Sequence, residues 1–143
     1  SGEANWELIR QIKESLSIPV IGNGDIFTVR DAIEKKEFSN VDGIMVARGA
    51  KGNPWLIKEI IHYNRTGEIL ERPNLEEVVE VLMRHIDYSV LSKGEKRGFI
   101  EMRKHVAWYL KGFKNAAKIR DKVNHSLSVG TFRQDLLQLL DNQ

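Results

Sequence analysis

Two short loops hold the residues best suited to grip a ligand, Gly22-Asn23-Gly24-Asp25 and Ala47-Arg48-Gly49-Ala50. Glycine lets backbone N–H groups come close to an anion, and a guanidinium such as that of Arg48 offers a planar fork of donors that matches phosphate. A short turn over 49–51 would aim further N–H groups at the same point. Taken singly, each loop reads equally as a tight turn, with Arg48 in a surface ion pair and Asp25 as a helix cap. Two such loops in succession favour a phosphate cradle.

The elements that must position these loops are legible around them. Ile18 to Ile21 and Gly43 to Ala47 are short apolar runs that stop at or near glycine, and an amphipathic segment separates them. That pattern predicts a strand, helix, strand unit with parallel strands buried on both faces. In sheets and barrels of this kind ligands sit beyond the carboxyl ends of the strands, where both loops lie. Asn5 is expected to cap a first helix with Leu8, Ile9, Ile12 and Leu16 on its apolar face, and Trp6 is expected to pack. Thr28 and Asp31 start a second helix, with Val29, Ala32 and Ile33 inward and Lys35, Lys36 and Glu37 outward. Asn53 as cap and Pro54 in the first turn start a third, running to about Asn64 and closed by Gly67. The expected fold is α/β followed by all-α: residues 1–66 as the C-terminal part of a (β/α)8 barrel, 67–73 as a linker, and 74–143 as a small helical bundle. A complete barrel needs ~250 residues, so 143 residues hold at most part of one.

In the second half, Asn74 and Glu77 form a capping-box pattern ahead of a helix that Gly94 ends. Further helices are predicted over about Phe99 to Lys111, about Asn115 to Asn124, and after Thr131 with Gln134 as its capping partner. On a wheel of ~100° per residue, Phe99, Met102, Val106, Leu110 and Phe113 fall on one side. Arg97, Lys104, Trp108 and Lys111 fall on the other. Cations that hold phosphates beside a ring that stacks on a base make a nucleic-acid surface; the other reading has Trp108 packed on a neighbour and the cations solvating a rim.

Charge divides unevenly along the chain. Residues 1–73 carry ten Lys/Arg against eleven Asp/Glu, whereas residues 93–122 carry ten against three. The absence of cysteine excludes a disulfide scaffold and cysteine-ligated metal. His62, His85, His105 and His125 lack ligand spacing, so no metal is expected. No apolar run approaches ~20 residues, and no signal pattern opens the chain. A soluble cytoplasmic protein without a membrane role is the expectation.

Taken together, Trp6, Ile18-Pro19-Val20-Ile21-Gly22-Asn23-Gly24-Asp25-Ile26, Asp42-Gly43, Ala47-Arg48-Gly49-Ala50, Gly52-Asn53-Pro54-Trp55, Met102-Arg103-Lys104-His105 and Trp108-Tyr109 resemble the bacterial tRNA-dihydrouridine synthases. The resemblance runs from the start of the chain to about Lys122. It implies an FMN-dependent, NADPH-reduced oxidoreductase that reduces the C5–C6 bond of uridine in tRNA. It also implies six βα units upstream, carrying the catalytic cysteine, so no catalytic residue is expected within these 143 and the isolated chain is expected to be inactive. Asn23, Gly24, Asp25, Ala47 and Arg48 match the family's FMN-binding positions. Ala47 replaces a glycine found in many members. The implied tRNA-facing positions are Arg97, Arg103, Lys104, His105, Trp108 and Lys111. Another phosphate- or flavin-binding barrel oxidoreductase without nucleic acid, or a non-catalytic RNA-binding module, are the competing readings. Open strand edges predict self-association of the isolated stretch.

Overall fold

The computed structural model describes residues 2–138 and 140. The chain is mostly helical with two parallel strands, and it divides into two compact units, Ser1–Glu71 and Arg72–Gln143.

The first unit runs α1 (Trp6–Ser15), β1 (Ile21–Asn23), α2 (Val29–Ser39), β2 (Gly43–Met45), a 3-10 turn (Arg48–Ala50) and α3 (Trp55–Thr66). Local chemistry starts most of these helices. The Asn5 side chain accepts the Leu8 N–H at 2.9 Å, and Thr28 and Asp31 satisfy each other's backbone N–H groups in a capping box. Asn40, at a left-handed φ of 51°, ends α2, and Gly67, at 74°, ends α3. The Asp42 carboxylate accepts from the Val20 N–H at 2.6 Å and from Lys13 Nζ at 2.8 Å, which ties the end of α1 to the entry of both strands. Those two donors, Lys13 first, hold its pKa below the usual carboxylate value.

β1 and β2 pair in parallel, with Ile21 opposite Gly43, Gly22 opposite Ile44 and Asn23 opposite Met45. The core is Trp6, Ile26, Val29, Ala32, Val41, Leu56 and Ile60, with Val20, Ile44 and Val46 packed on it. Gly22 is required by Trp6, because a Cβ there would lie 2.6 Å from the indole ring.

Three expectations need correction here. The first strand is Ile21–Asn23 and not Ile18 to Ile21, and the second stops at Met45. Burial on both strand faces is not found: Ile21 is 60% and Met45 52% exposed, while Gly22, the middle residue of β1, is buried. A strand buried on both faces needs a layer on each, and this unit supplies one. At α3, Pro54 takes the capping position with φ −66° and makes no side-chain cap, so the helix begins at Trp55 and extends past Asn64 to Thr66.

The second unit is α4 (Leu75–Lys93), α5 (Glu95–Tyr109), α6 (Ala116–His125) and α7 (Val129–Leu137). Asn74 and Glu77 form the capping box of α4, and Gly94, at φ 79°, is the single residue between α4 and α5. α4 packs chiefly on α5, α6 bridges α5 and α7, and α7 returns to α4. Leu82, Ile86, Met102, Val106, Leu110, Val123, Phe132 and Leu136 are fully buried. α5 ends at Tyr109, short of Lys111, and the last helix is capped by Ser128 with Thr131 three residues on, displacing the expected Thr131 and Gln134 pair. The Ser128 hydroxyl accepts the Thr131 N–H at 3.2 Å, with the Thr131 hydroxyl standing where the usual pattern has Glu or Gln.

Among the described residues no helix is long and apolar enough to cross a membrane, and no group of three or more His, Cys, Asp or Glu is arranged to hold a metal ion.

Candidate functional site

At the carboxyl ends of β1 and β2 the chain gathers Asn23, Gly24, Asp25, Ala47 and Arg48 around one hollow of about 60 Å³, with Met45 and Gly49. One water occupies ~30 Å³ of the liquid, so the hollow suits a group of a few heavy atoms. Asn23 Nδ2 donates to the Met45 carbonyl at 2.7 Å and pins the two strand ends together. Gly24 has φ 134°, and a Cβ there would lie 2.3 Å from the Ala4 methyl. Its carbonyl accepts the Trp6 indole N–H at 3.1 Å, which gives that buried ring a positioning role as well as a packing one. Gly49 is equally constrained, since a Cβ would meet the Ile26 carbonyl oxygen at 2.0 Å.

Asp25 sits at φ 50°, a left-handed conformation that Asp tolerates better than most residues. Its carboxylate accepts the Ala4 N–H at 2.7 Å and Arg48 Nη2 at 2.5 Å. The cap of α2 is Thr28, so the alternative of Asp25 as helix cap does not hold. Arg48 is in an ion pair, as its alternative reading had it; its side chain is 56% exposed, and its guanidinium carbon lies 5.8 Å from the Phe27 ring centroid. An exposed pair of this kind adds only ~0–1 kcal/mol to folding. The N–H groups of Ala50 and Lys51, expected to face an anion, instead donate to the Ala47 and Arg48 carbonyls and close the 3-10 turn.

The sequence reading missed Lys35. Expected to face outward, it donates from Nζ to the Asp25 carbonyl at 2.8 Å and lies 3.8 Å from Asp31. A larger open concavity of about 500 Å³ is lined by Asp25, Phe27, Lys35 and Arg48 together with residues 2–4. The spacing of Asp31 and Lys35 by four on one helix was the available signal. Burial alone would raise the Asp31 pKa, but the N–H groups of Phe27 and Thr28, the Thr28 hydroxyl and Lys35 together hold it below the ordinary value.

The candidate nucleic-acid residues on and after α5 separate into different roles. Arg97 donates from Nε to Glu101 at 2.9 Å, and Lys93 pairs with the same carboxylate. Lys93 and then Arg97 pull the Glu101 pKa down to about 2. Arg103 is turned to structural use. It donates to the Ser126 carbonyl at 2.6 Å, and its guanidinium carbon lies 5.2 Å from the Phe99 ring. Lys104 is exposed. The His105 ring makes edge contacts at 4.9 Å with both His85 and Trp108. His85 Nδ1 lies 3.3 Å from the Tyr109 hydroxyl, and burial, with Lys93 nearby, lowers its pKa. Trp108 is half-buried, and Lys111 is exposed beyond the end of the helix. Arg97, Lys104 and Trp108 thus lie within α5 at the spacing of the wheel, and Lys111 alone of the four falls past its end. The buried stripe of α6, Ala116, Ile119 and Val123, leaves Lys118 and Arg120 exposed, cations that the wheel of α5 did not include.

The dihydrouridine synthase family model matches residues 1–143. A probable tRNA-dihydrouridine synthase of Rickettsia bellii is 45% identical over 124 residues, which are 87% of this chain and 38% of that protein. The tRNA-dihydrouridine synthase B of Pseudomonas aeruginosa is 42% identical over 124 residues, 87% of this chain and 37% of its own length. A probable tRNA-dihydrouridine synthase of Mycobacterium leprae is 38% identical over 122 residues, 85% and 32% of the two chains. The chain thus spans about a third of the length of these relatives. With a match along its whole length and a glycine-loop site at the ends of parallel strands, the chain belongs to the dihydrouridine synthase family.

Proposed function

We propose that these residues form the FMN-phosphate end and the tRNA-holding domain of a tRNA-dihydrouridine synthase, a bacterial, FMN-dependent and NADPH-reduced oxidoreductase acting on uridine in tRNA. In this reading the first unit is the last part of a (β/α)8 barrel and the second is a helical tRNA-binding bundle. The observation that carries it is the convergence of Asn23, Gly24, Asp25, Ala47 and Arg48 on one hollow at the strand ends.

The residues fit a flavin phosphate. Gly24 and Gly49 let the loop backbones that line the hollow pack against Ala4 and the Ile26 carbonyl, where a Cβ would clash, and Arg48 brings a guanidinium whose geometry matches phosphate oxygens. When bound, FMN supplies the hydride for reduction of the uridine C5–C6 bond. The chain's own part is to bind and orient: Arg48 holds the phosphate, Asn23 fixes the spacing of the two strand ends, and Gly24 and Gly49 set the loop backbones. The cysteine that donates the proton lies outside these residues, which contain none. Lys104, Lys111, Trp108 and His105 remain the tRNA-facing residues of the second unit, with the exposed Arg97 beside them, its Nε held by Glu101.

Arg48→Ala in the complete protein tests the reading. It should weaken FMN binding by ~1–3 kcal/mol through loss of a charged hydrogen bond, while riboflavin, which has no phosphate, keeps its affinity. Equal losses for the two flavins would remove the phosphate role.

A further inference from the structure

Asp25 belongs to the proposed flavin site, yet its carboxylate is ill suited to touch a phosphate. An ionised carboxylate has no proton to donate, and beside a second anion it repels. Both of its oxygens are already engaged, Oδ2 by the Ala4 N–H at 2.7 Å and Oδ1 by Arg48 Nη2 at 2.5 Å.

The two partners differ in how firmly they are held. Asp25 is fixed from several sides: its backbone is in the left-handed region, its carbonyl takes Lys35 Nζ at 2.8 Å, and the preceding carbonyl takes the Trp6 indole at 3.1 Å. Arg48 projects from the short 3-10 turn with a side chain 56% exposed, touched on one side by the Phe27 ring. A long side chain in that setting samples many rotamers unless something selects one. The fixed carboxylate does so. It takes hydrogen from one terminal nitrogen and leaves the other guanidinium donors for a ligand.

We propose that Asp25 is a positioning residue that preorganises Arg48 for the phosphate of the bound flavin, acting through the guanidinium and not on the ligand. The inference rests on the FMN-phosphate reading above and adds a division of labour to it: Ala4, Lys35 and Trp6 fix Asp25, Asp25 fixes Arg48, and Arg48 holds the anion. Preorganisation strengthens binding because the ordering of the side chain is completed before the ligand arrives.

The test uses Asp25→Asn in the complete protein, with FMN and riboflavin dissociation constants measured by flavin fluorescence. Asparagine keeps a carbonyl oxygen for the Ala4 N–H and removes the charge that faces Arg48. FMN affinity should fall about tenfold, the scale of one charged hydrogen bond, with riboflavin affinity unchanged, and adding Asp25→Asn to Arg48→Ala should produce no further loss. Tighter FMN binding in Asp25→Asn would overturn the proposal, because it would make Asp25 a competitor of the phosphate. An equal loss for both flavins that persists in the Arg48→Ala background would also overturn it and leave Asp25 as a loop-building residue. If Arg48→Ala weakens FMN and Asp25→Asn does not, the positioning role fails while the phosphate reading stands. If Arg48→Ala itself leaves FMN untouched, the phosphate reading fails and takes the positioning role with it.

Discussion

Arg103 and Lys104 are neighbours in sequence and have opposite fates in the fold. Arg103 reaches the Ser126 carbonyl, 23 residues away, and lies against Phe99, whereas Lys104 is exposed. Replacing Arg103 by Ala should therefore lower the stability of the second unit by ~1.5–3 kcal/mol, the range for a hydrogen bond to a charged group, read by chemical denaturation. Lys104→Ala should leave stability unchanged and weaken tRNA binding alike for all tRNAs, reducing the slope of log K against log salt by ~1. The reverse pattern would exchange their roles. The sequence alone separates such a pair poorly, because a wheel assigns faces within one helix and the partner of Arg103 is on the turn after another. Arg48 was easier to read. Its flanking alanine and glycine left it the only large polar side chain in Ala47-Arg48-Gly49-Ala50. Asp25 and Lys35 were harder, since each acts through a contact made by the folding of loop onto helix.

Elements were legible where their signals are local. Asn5, the Thr28 and Asp31 pair, and the Asn74 and Glu77 pair all bond three residues along the chain, so each cap is written within one short window. Strand limits depend on the partner strand, and the ladder of Ile21–Asn23 on Gly43–Met45 was displaced from the apolar runs that suggested it. Close approach of α4 and α5 was not legible at all. It depends on Gly98, where a Cβ would fall 2.7 Å from both the Ser89 carbonyl oxygen and the Val90 Cα, and on the Ser89 hydroxyl, which donates to the Gly98 carbonyl at 3.1 Å. In an isolated helix Gly→Ala is favourable by ~1 kcal/mol. Here the backbone of α4 must move, so Gly98→Ala should destabilise the second unit by ~1–3 kcal/mol. Ser89→Ala would remove only one hydrogen bond, ~1 kcal/mol. A denaturation midpoint for Gly98→Ala at or above that of the unchanged protein would show that the helices do not pack at this distance.

At the scale of the whole chain, the first unit ends at Glu71, inside the Gly- and Pro-containing polar stretch 65–73, whereas the basic excess begins only at Lys93, within the second unit. Composition was silent on what happens to the outer face of the sheet. Among the described residues the sheet has two strands, so each strand keeps one edge without a partner strand. Beside those edges Ile18, Ile21 and Met45 are 62%, 60% and 52% exposed, large apolar side chains with no covering layer in their own unit. Unpaired edges next to apolar side chains are templates for pairing with another chain. The 143-residue chain should therefore self-associate through its first unit as concentration rises, with a mass by light scattering above that of the monomer. Ile21→Lys and Met45→Lys together should return it to a monomer, because a charge on each strand makes pairing unfavourable, and helical circular dichroism should be unchanged since neither side chain is in the core. A monomer at every concentration without those substitutions would show that two short strands present too little edge to recruit a second chain. Association that survives both substitutions would place the contact elsewhere on the chain.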